Sequence, residues 1–323
     1  MTTAAAAKRN SRWTRSPTLG PRKTACLSPH DIDIFAVLAR HRYLPADYIH
    51  ALVGGNYKHL IHRLNVLCRA PNLFLNRPHQ QRANSHANCR PLIYELDERG
   101  ARALRERGFE YRRNRAPGSF AHELMVCQIM ASFELGAHER GVRLITWADI
   151  LRSEGLPDAT RQSPKPSNIP ISVILNGQHT DTHVAADGEP FGIERVVNGD
   201  RRYFFCPGIE ADCGTEPVDA SDFARSSIYR KIVLYLAIEM HGIHRSHFGF
   251  PNFYVPVITT TDSRARSMME VLKRATRGQG SKILLFKSFP AFTSFEKPRP
   301  PSGHMLTEDW QRVGYPPFNF LKS

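Results

Sequence analysis

Charge divides this chain into two parts that cannot share one surface chemistry, and that division limits the architectures open to it. Residues 1–119 hold 21 Lys and Arg against 8 Asp and Glu, whereas residues 120–323 hold 23 against 22. Nearly all of the +14 net charge therefore lies in the first third. A basic block joined to a neutral one predicts a nucleic-acid-binding module attached to a second unit with another task. A length of 323 residues is enough for two domains with separate cores. No apolar run approaches the ~20 residues that span a bilayer, so no membrane partner is expected. The first residues are Ala-rich and then basic (Lys8, Arg9, Arg12, Arg15, Arg22, Lys23), without the apolar stretch of a secretory signal. Residues 1–27 are expected to be a disordered basic arm. The six cysteines form no CxxC pair, which predicts reduced thiols in a cytoplasmic protein.

Over residues 28–111 the pattern predicts a winged helix-turn-helix. Ser28-Pro29 opens a helix, with apolar Ile32, Phe35, Leu38 and Ala39 at helical spacing. A shorter helix carries Tyr48, Ile49, Leu52 and Val53, and Gly54-Gly55-Asn56 then turns the chain into a third, Tyr57 to Cys68. Two strands around a basic loop, Leu73–Leu75 and Leu92–Leu96, form the wing, and Asp97 starts a closing helix. The outward face of the third helix is expected to present Tyr57, Lys58, His59, His62 and Arg63 to double-stranded DNA. The wing adds Arg77, Arg82 and Arg90, with Gln80 and Gln81, for phosphates or a minor groove.

Residues 112–119 read as a basic linker and residues 120–289 as a mixed-sheet α/β domain, giving an α+β or α/β chain overall. A helix over Ala121 to about Glu139 precedes a strand at Val142–Trp147, and a loop is expected from Leu151 to Ile169. Residues 171–175 suggest an extra strand, and Asp187-Gly188 lies in a strand or hairpin. Arg202–Ala211 runs into Glu210 and Asp212, a helix follows to Met240, and a strand, a helix and a last strand occupy Phe253–Thr260, Ser263–Arg274 and Lys282–Phe286. Residues i and i+2 of a strand share a face, so Glu210 and Asp212 are expected to project together toward Asp187. Three carboxylates so placed suit a hard divalent cation, Mg2+ or Mn2+, that activates water on a phosphodiester. Lys231 and Arg230 on the next helix are the candidates to stabilise developing negative charge. The bland alternative has the same carboxylates ion-paired to Lys231 and Arg230 without metal, with Asp187-Gly188 a simple turn.

The segment GIEADCGTEP (208–217) followed by SIYRKIVLY (227–235) resembles the replication-relaxation family of bacterial plasmids and mobile elements. The resemblance covers most of Ser28 to Arg274. It implies a winged helix ahead of such a segment and an accessory role in plasmid replication, relaxation or transfer. The same elements are similar to the restriction-endonuclease-like PD-(D/E)XK fold. By that pattern Asp187 is the first metal ligand, Glu210 the second acidic position, and Lys231 replaces the lysine that the pattern puts where Asp212 stands. Ala186, not Pro, precedes Asp187.

Three functions follow as expectations. The first is a DNA-binding accessory protein with a degenerate nuclease-like core, working with replication or conjugation proteins. The second is an active metal-dependent endonuclease or nickase using Asp187, Glu210, Asp212 and Lys231. The third is a transcriptional regulator whose second domain forms a homodimer. His122-Glu123 opens the first core helix and is placed to approach the cluster or to complement the helix dipole. His241, His244 and His247 have metal-ligand spacing at a helix end, where Gly242 points instead to a solvated terminus. No phosphate loop, nucleophile elbow or HExxH is present. Residues 290–323, rich in Pro and aromatic residues, are expected to wrap the domain through Trp310 and Phe318 or to bind a partner.

Overall fold

The computed structural model describes residues 24–80, 92–109, 119–175, 178–219, 226–290 and 299–323. The chain separates into two units, Met1–Arg115 and Ala116–Ser323, and each is mixed α and β.

In the first unit α1 (Pro29–His41) starts at a capping box. Ser28 Oγ accepts from Asp31 N–H, while the Asp31 carboxylate accepts from Ser28 N–H. After β1 (Leu44–Pro45) come α2 (Ala46–Val53) and α3 (Tyr57–Leu67), the latter N-capped by Asn56. Then β2 (Leu75–Asn76) and β3 (Ile93–Leu96) form an antiparallel sheet in the order β1-β3-β2, and α4 (Glu98–Arg105) closes the unit. Phe35, Leu38, Ile49, Leu64, Leu67, Tyr94 and Leu104 are buried in this unit.

The second unit opens with α5 (Phe120–Arg140), buried almost continuously from Leu124 to Ala137 and ended by Gly141 in the left-handed region. Then follow β4 (Arg143–Ile145), α6 (Trp147–Arg152) and α7 (Asp158–Arg161); the expected strand stops at Ile145, α6 takes over from Trp147, and α7 lies where the sequence predicted a loop. A second capping box, Thr146 with Asp149, starts α6. Strands β5 (Ile169–Leu175) and β6 (Gln178–Val184) pair as an antiparallel two-stranded sheet. Strands β7 (Phe191–Val197) and β8 (Asp200–Cys206) form a hairpin with β4 on its far side. Its tip is Asn198-Gly199, both at positive φ, as a two-residue hairpin turn requires.

Strand β9 (Glu210–Asp212) leads through α8 (Ile228–Met240) and α9 (Ile243–Phe248) to β10 (Val255–Thr259), α10 (Asp262–Ala275) and β11 (Leu284–Ser288). The parallel sheet β11-β10-β9 is covered on both faces. Ala211, Ile258 and Leu285 join the core under α5, whereas Val255, Val257, Leu284 and Phe286 join the core under α8 and α10. This is the period-two alternation of strands buried on both sides. The last helix, α11 (His304–Thr307), and the residues after it complete the α5 layer. Trp310 is fully buried and stacks on Phe133, ring centroids 6.1 Å apart, and Phe318 and Phe320 lie in the same core.

Candidate functional site

Helical geometry sorts the residues of α3. At about 100° per residue, Leu60, Leu64 and Leu67 point one way and Lys58 and His62 point nearly opposite, with His59 beside them. The leucines are buried, and Tyr57, Lys58, His59 and His62 are exposed. Tyr57 Oη donates to Asp47 Oδ1 at 2.6 Å, which ties the start of α3 to α2. Arg63 lies on the flank nearer the leucines, and the structure gives it a role the sequence did not suggest. Its Nε donates to Asp31 Oδ1 at 2.7 Å, and its Nη2 donates to Asp31 Oδ2 at 2.6 Å and to Cys26 O at 2.7 Å. Burial pushes the Asp31 carboxyl up, but Arg63 and Ser28 outweigh it and hold it below the usual range. Arg63 is thus a brace between α3 and α1. Arg77 is 2% exposed and so is not a surface phosphate contact; Arg82 and Arg90 lie outside the described residues.

In the second unit the carboxylates divide. The run Cys206-Pro-Gly-Ile carries the chain from β8 into β9, and at Gly208 a Cβ would come within 2.5 Å of Gly188 O at φ 140°, so only glycine fits there. That close approach lets Asp187 N–H donate to Ile209 O at 2.9 Å, while Asp187 Oδ2 accepts from Ala211 N–H at 2.9 Å. Asp187 therefore seals the free edge of β9. Glu210 lies opposite Val257 and faces α8. Lys231 and Tyr235, four residues apart on α8, both reach it: Lys231 Nζ is 2.8 Å from Glu210 Oε2, and Tyr235 Oη donates to Glu210 Oε1 at 2.6 Å. The ammonium is also 3.1 Å from Glu216 Oε2 and 3.9 Å from Asp187 Oδ2, and His122 Nε2 is 3.3 Å from Asp187 Oδ2.

Burial pushes the Glu210 carboxyl up, to about 7, with the Asp187 charge adding to the rise and Lys231 opposing it. Burial also raises the Asp187 carboxyl, but His122, Lys231 and the Ala211 amide prevail and hold it below its ordinary value. Burial alone would lower the Lys231 ammonium; Glu210, Asp187 and Glu216 instead raise it, so it is charged throughout the physiological range. The hydrogen bond to Asp187 raises His122.

Asp212 shares the strand face but not the cluster. Thr259 Oγ1 donates to its Oδ2 at 2.7 Å, and Arg264 of α10 makes a forked contact to both carboxylate oxygens. Arg230 turns to Thr182 on β6, away from the cluster. The expected set of Asp187, Glu210 and Asp212 therefore does not converge on one point, and Lys231 holds the space between Glu210 and Glu216. Among the described residues, no group of three or more His, Cys, Asp and Glu side chains is arranged to hold a metal ion. The donors present do not fit the three-carboxylate cation site. His244 lies tilted against Phe253, ring centroids 4.6 Å apart, His247 Nε2 lies 3.0 Å from Pro166 O, and His241 is exposed, so the first two are engaged within the fold. Arg264, Glu216 and Tyr235 are the site residues that sequence reasoning did not assign; the i, i+4 spacing of Lys231 and Tyr235 was the available signal for one of them.

Fold and site together define a two-unit α+β protein, with an exposed basic helix in one unit and a carboxylate–lysine cluster at a parallel sheet in the other. The chain belongs to the replication-relaxation family, whose sequence model matches residues 35–252. That span includes α3 and every residue of the cluster. The family ties the chain to the replication or relaxation of plasmids and mobile elements. No match is found among curated proteins or among solved structures. Among the described residues no helix is long and apolar enough to cross a membrane.

Proposed function

We propose that this chain is a double-stranded DNA-binding accessory of plasmid or mobile-element replication, relaxation or transfer, with a nuclease-like core that does not cleave. The observation that carries the reading is the α3 face. Lys58, His59 and His62 stand exposed on a helix anchored by three leucines, after a two-glycine turn and ahead of an antiparallel pair of strands. That order suits a winged helix whose third helix enters a major groove and whose wing touches the backbone. In the second unit the succession α5, β4, β7, β8 with β9, α8, β10 parallels the PD-(D/E)XK plan. Lys231 among the carboxylates and Arg264 on Asp212 favour a scaffold over a cation site.

Two measurements test this. Lys58→Ala with His62→Ala should weaken duplex binding and flatten its salt dependence; unchanged affinity and slope would remove α3 as the reading helix. Supercoiled plasmid with Mg2+ or Mn2+ should stay intact with wild type and with Glu210→Ala. Wild-type nicking that Glu210→Ala abolishes would make the core a metal-dependent endonuclease instead.

A further inference from the structure

The β7–β8 hairpin carries a basic cleft at the end away from the carboxylate cluster. Asp187 precedes β7, and the cleft is built on the last residues of that seven-residue strand. At about 3.3 Å per residue, the two are roughly 20 Å apart. The cleft, about 680 Å³, lies between Arg140 at the end of α5, Arg143 on β4, and Arg195 and Arg201 on the hairpin. Glu194 is the one carboxylate among its lining residues. It meets Arg143 at 3.1 Å and Arg201 at 2.8 Å. Arg143 and Arg201 thus share one acid on one face of the strand, while Arg195 turns to the other face, where its Nη2 donates to Ser323 O at 2.5 Å and its guanidinium lies over Phe204, in a unit whose total charge is nearly balanced.

Arg195 sharpens the imbalance. It is 8% exposed, and its buried Nε has no hydrogen-bond partner. Burial and then the nearby Arg202 push its pKa down. Like charges gathered together and a buried donor left unmatched both cost free energy that a bound anion offsets. Arg143 and Arg201 are 60% and 66% exposed, so their pairs with Glu194 exchange readily for another acceptor.

We propose that this cleft grips the phosphodiester backbone of DNA, a second contact separate from α3; the inference rests on the reading of the chain as a DNA-binding protein. Every cation lining the cleft is arginine, whose planar fork offers paired donors to phosphate oxygens. Val196, 66% exposed, gives the cleft an apolar wall against which a sugar can rest, and no lining aromatic offers base stacking. The contact is therefore to the backbone and independent of sequence.

The test uses the full chain and a fluorescein-labelled 30-base-pair duplex, with affinity followed from 50 to 200 mM salt. Arg143→Ala with Arg201→Ala should lower the slope of log K against log salt by about 1.8, at ~0.9 per lost phosphate contact. The same drop should appear on top of Lys58→Ala with His62→Ala. Both arginines are exposed, so the unfolding midpoint should hold, and Arg143→Lys with Arg201→Lys should keep most of the slope. An effect from the α3 pair alone overturns the cleft and leaves the proposed function standing. An effect from the cleft pair alone supports the cleft and removes α3. No effect from either overturns both. Preferential binding of a poly-glutamate peptide, lost in the cleft variant while duplex binding persists, would make the cleft an acidic-protein dock and overturn the proposal.

Discussion

Replacing Arg63 with alanine removes both guanidinium bonds to a carboxylate that is completely buried. Breaking a buried ion pair from one side typically costs about 3–5 kcal/mol, because the remaining charge is left uncompensated. Two features reduce that here. Arg63 is 29% exposed, so water reaches the vacated position, and Asp31 keeps its bonds from Ser28 N–H and Oγ–H. The expected loss is about 2–3 kcal/mol. For a unit of this size that lowers Tm by roughly 10–20 °C.

Scanning calorimetry of the full chain should show the fall in the first unit's transition and leave the second unchanged. The carboxyl of Asp31 is held below its ordinary value, so the pair's contribution is present above the unfolded pKa and is lost as pH falls through the folded one. The gap between wild type and Arg63→Ala should accordingly narrow below about pH 4. A cycle with Asp31→Asn should return a coupling energy above ~1 kcal/mol. Lys58→Ala, on the exposed face, should move stability by less than ~0.5 kcal/mol. If Arg63→Ala left the midpoint where it was and lowered the salt slope of duplex binding as Lys58→Ala does, the brace would be refuted and Arg63 would return to the DNA face.

Two further outcomes follow from the second unit. Glu210 has a folded pKa of about 7, above the ordinary 4.5 of its carboxyl, so its contribution to stability should decline as pH rises from about 4.5 to 7. The decline is roughly 3 kcal/mol, and urea titrations across that window should show it as a difference between wild type and Glu210→Gln; parallel curves would contradict the burial argument. Trp310→Ala should destabilise the second unit by about 3–5 kcal/mol through a large cavity against Phe133 and Phe320. Guanidinium unfolding with an unchanged midpoint would remove residues 304–320 from the core.

Local signals carried far in the sequence. The N-cap at Ser28, the apolar phase of α3 and the pairing of Glu210 with Asp212 on one strand face could all be read because each depends on residues a few positions apart. Arg63 shows the limit: helical phase puts it on a flank, and only the tertiary position of α1 turns it inward toward Asp31. Arg264 was invisible for the same reason, since it meets Asp212 across 52 positions through a parallel sheet. Other signals were present but not used. Asn198-Gly199 marks the β7–β8 hairpin by turn chemistry alone, and Thr146 with Asp149 marks the start of α6 where the sequence reading ran a strand on to Trp147. The carboxylates separate on geometry finer than strand alternation. Sharing a face put Glu210 and Asp212 side by side, but neighbouring helices supplied each with its own cation.

The placement of Trp310 sets an order of events during synthesis. Ser132 on α5 donates to Ser302 O, 170 positions later, and Phe133 meets Trp310 beyond that. Layers joined over such a span cannot form until the ribosome has delivered both. At about 5–20 residues per second, roughly 10–40 s pass between the emergence of the first unit and that of Trp310. The first unit, which ends near Arg115, has already left the ribosome when that interval begins. The nascent protein therefore presents its basic module before the second unit can close the layer on α5.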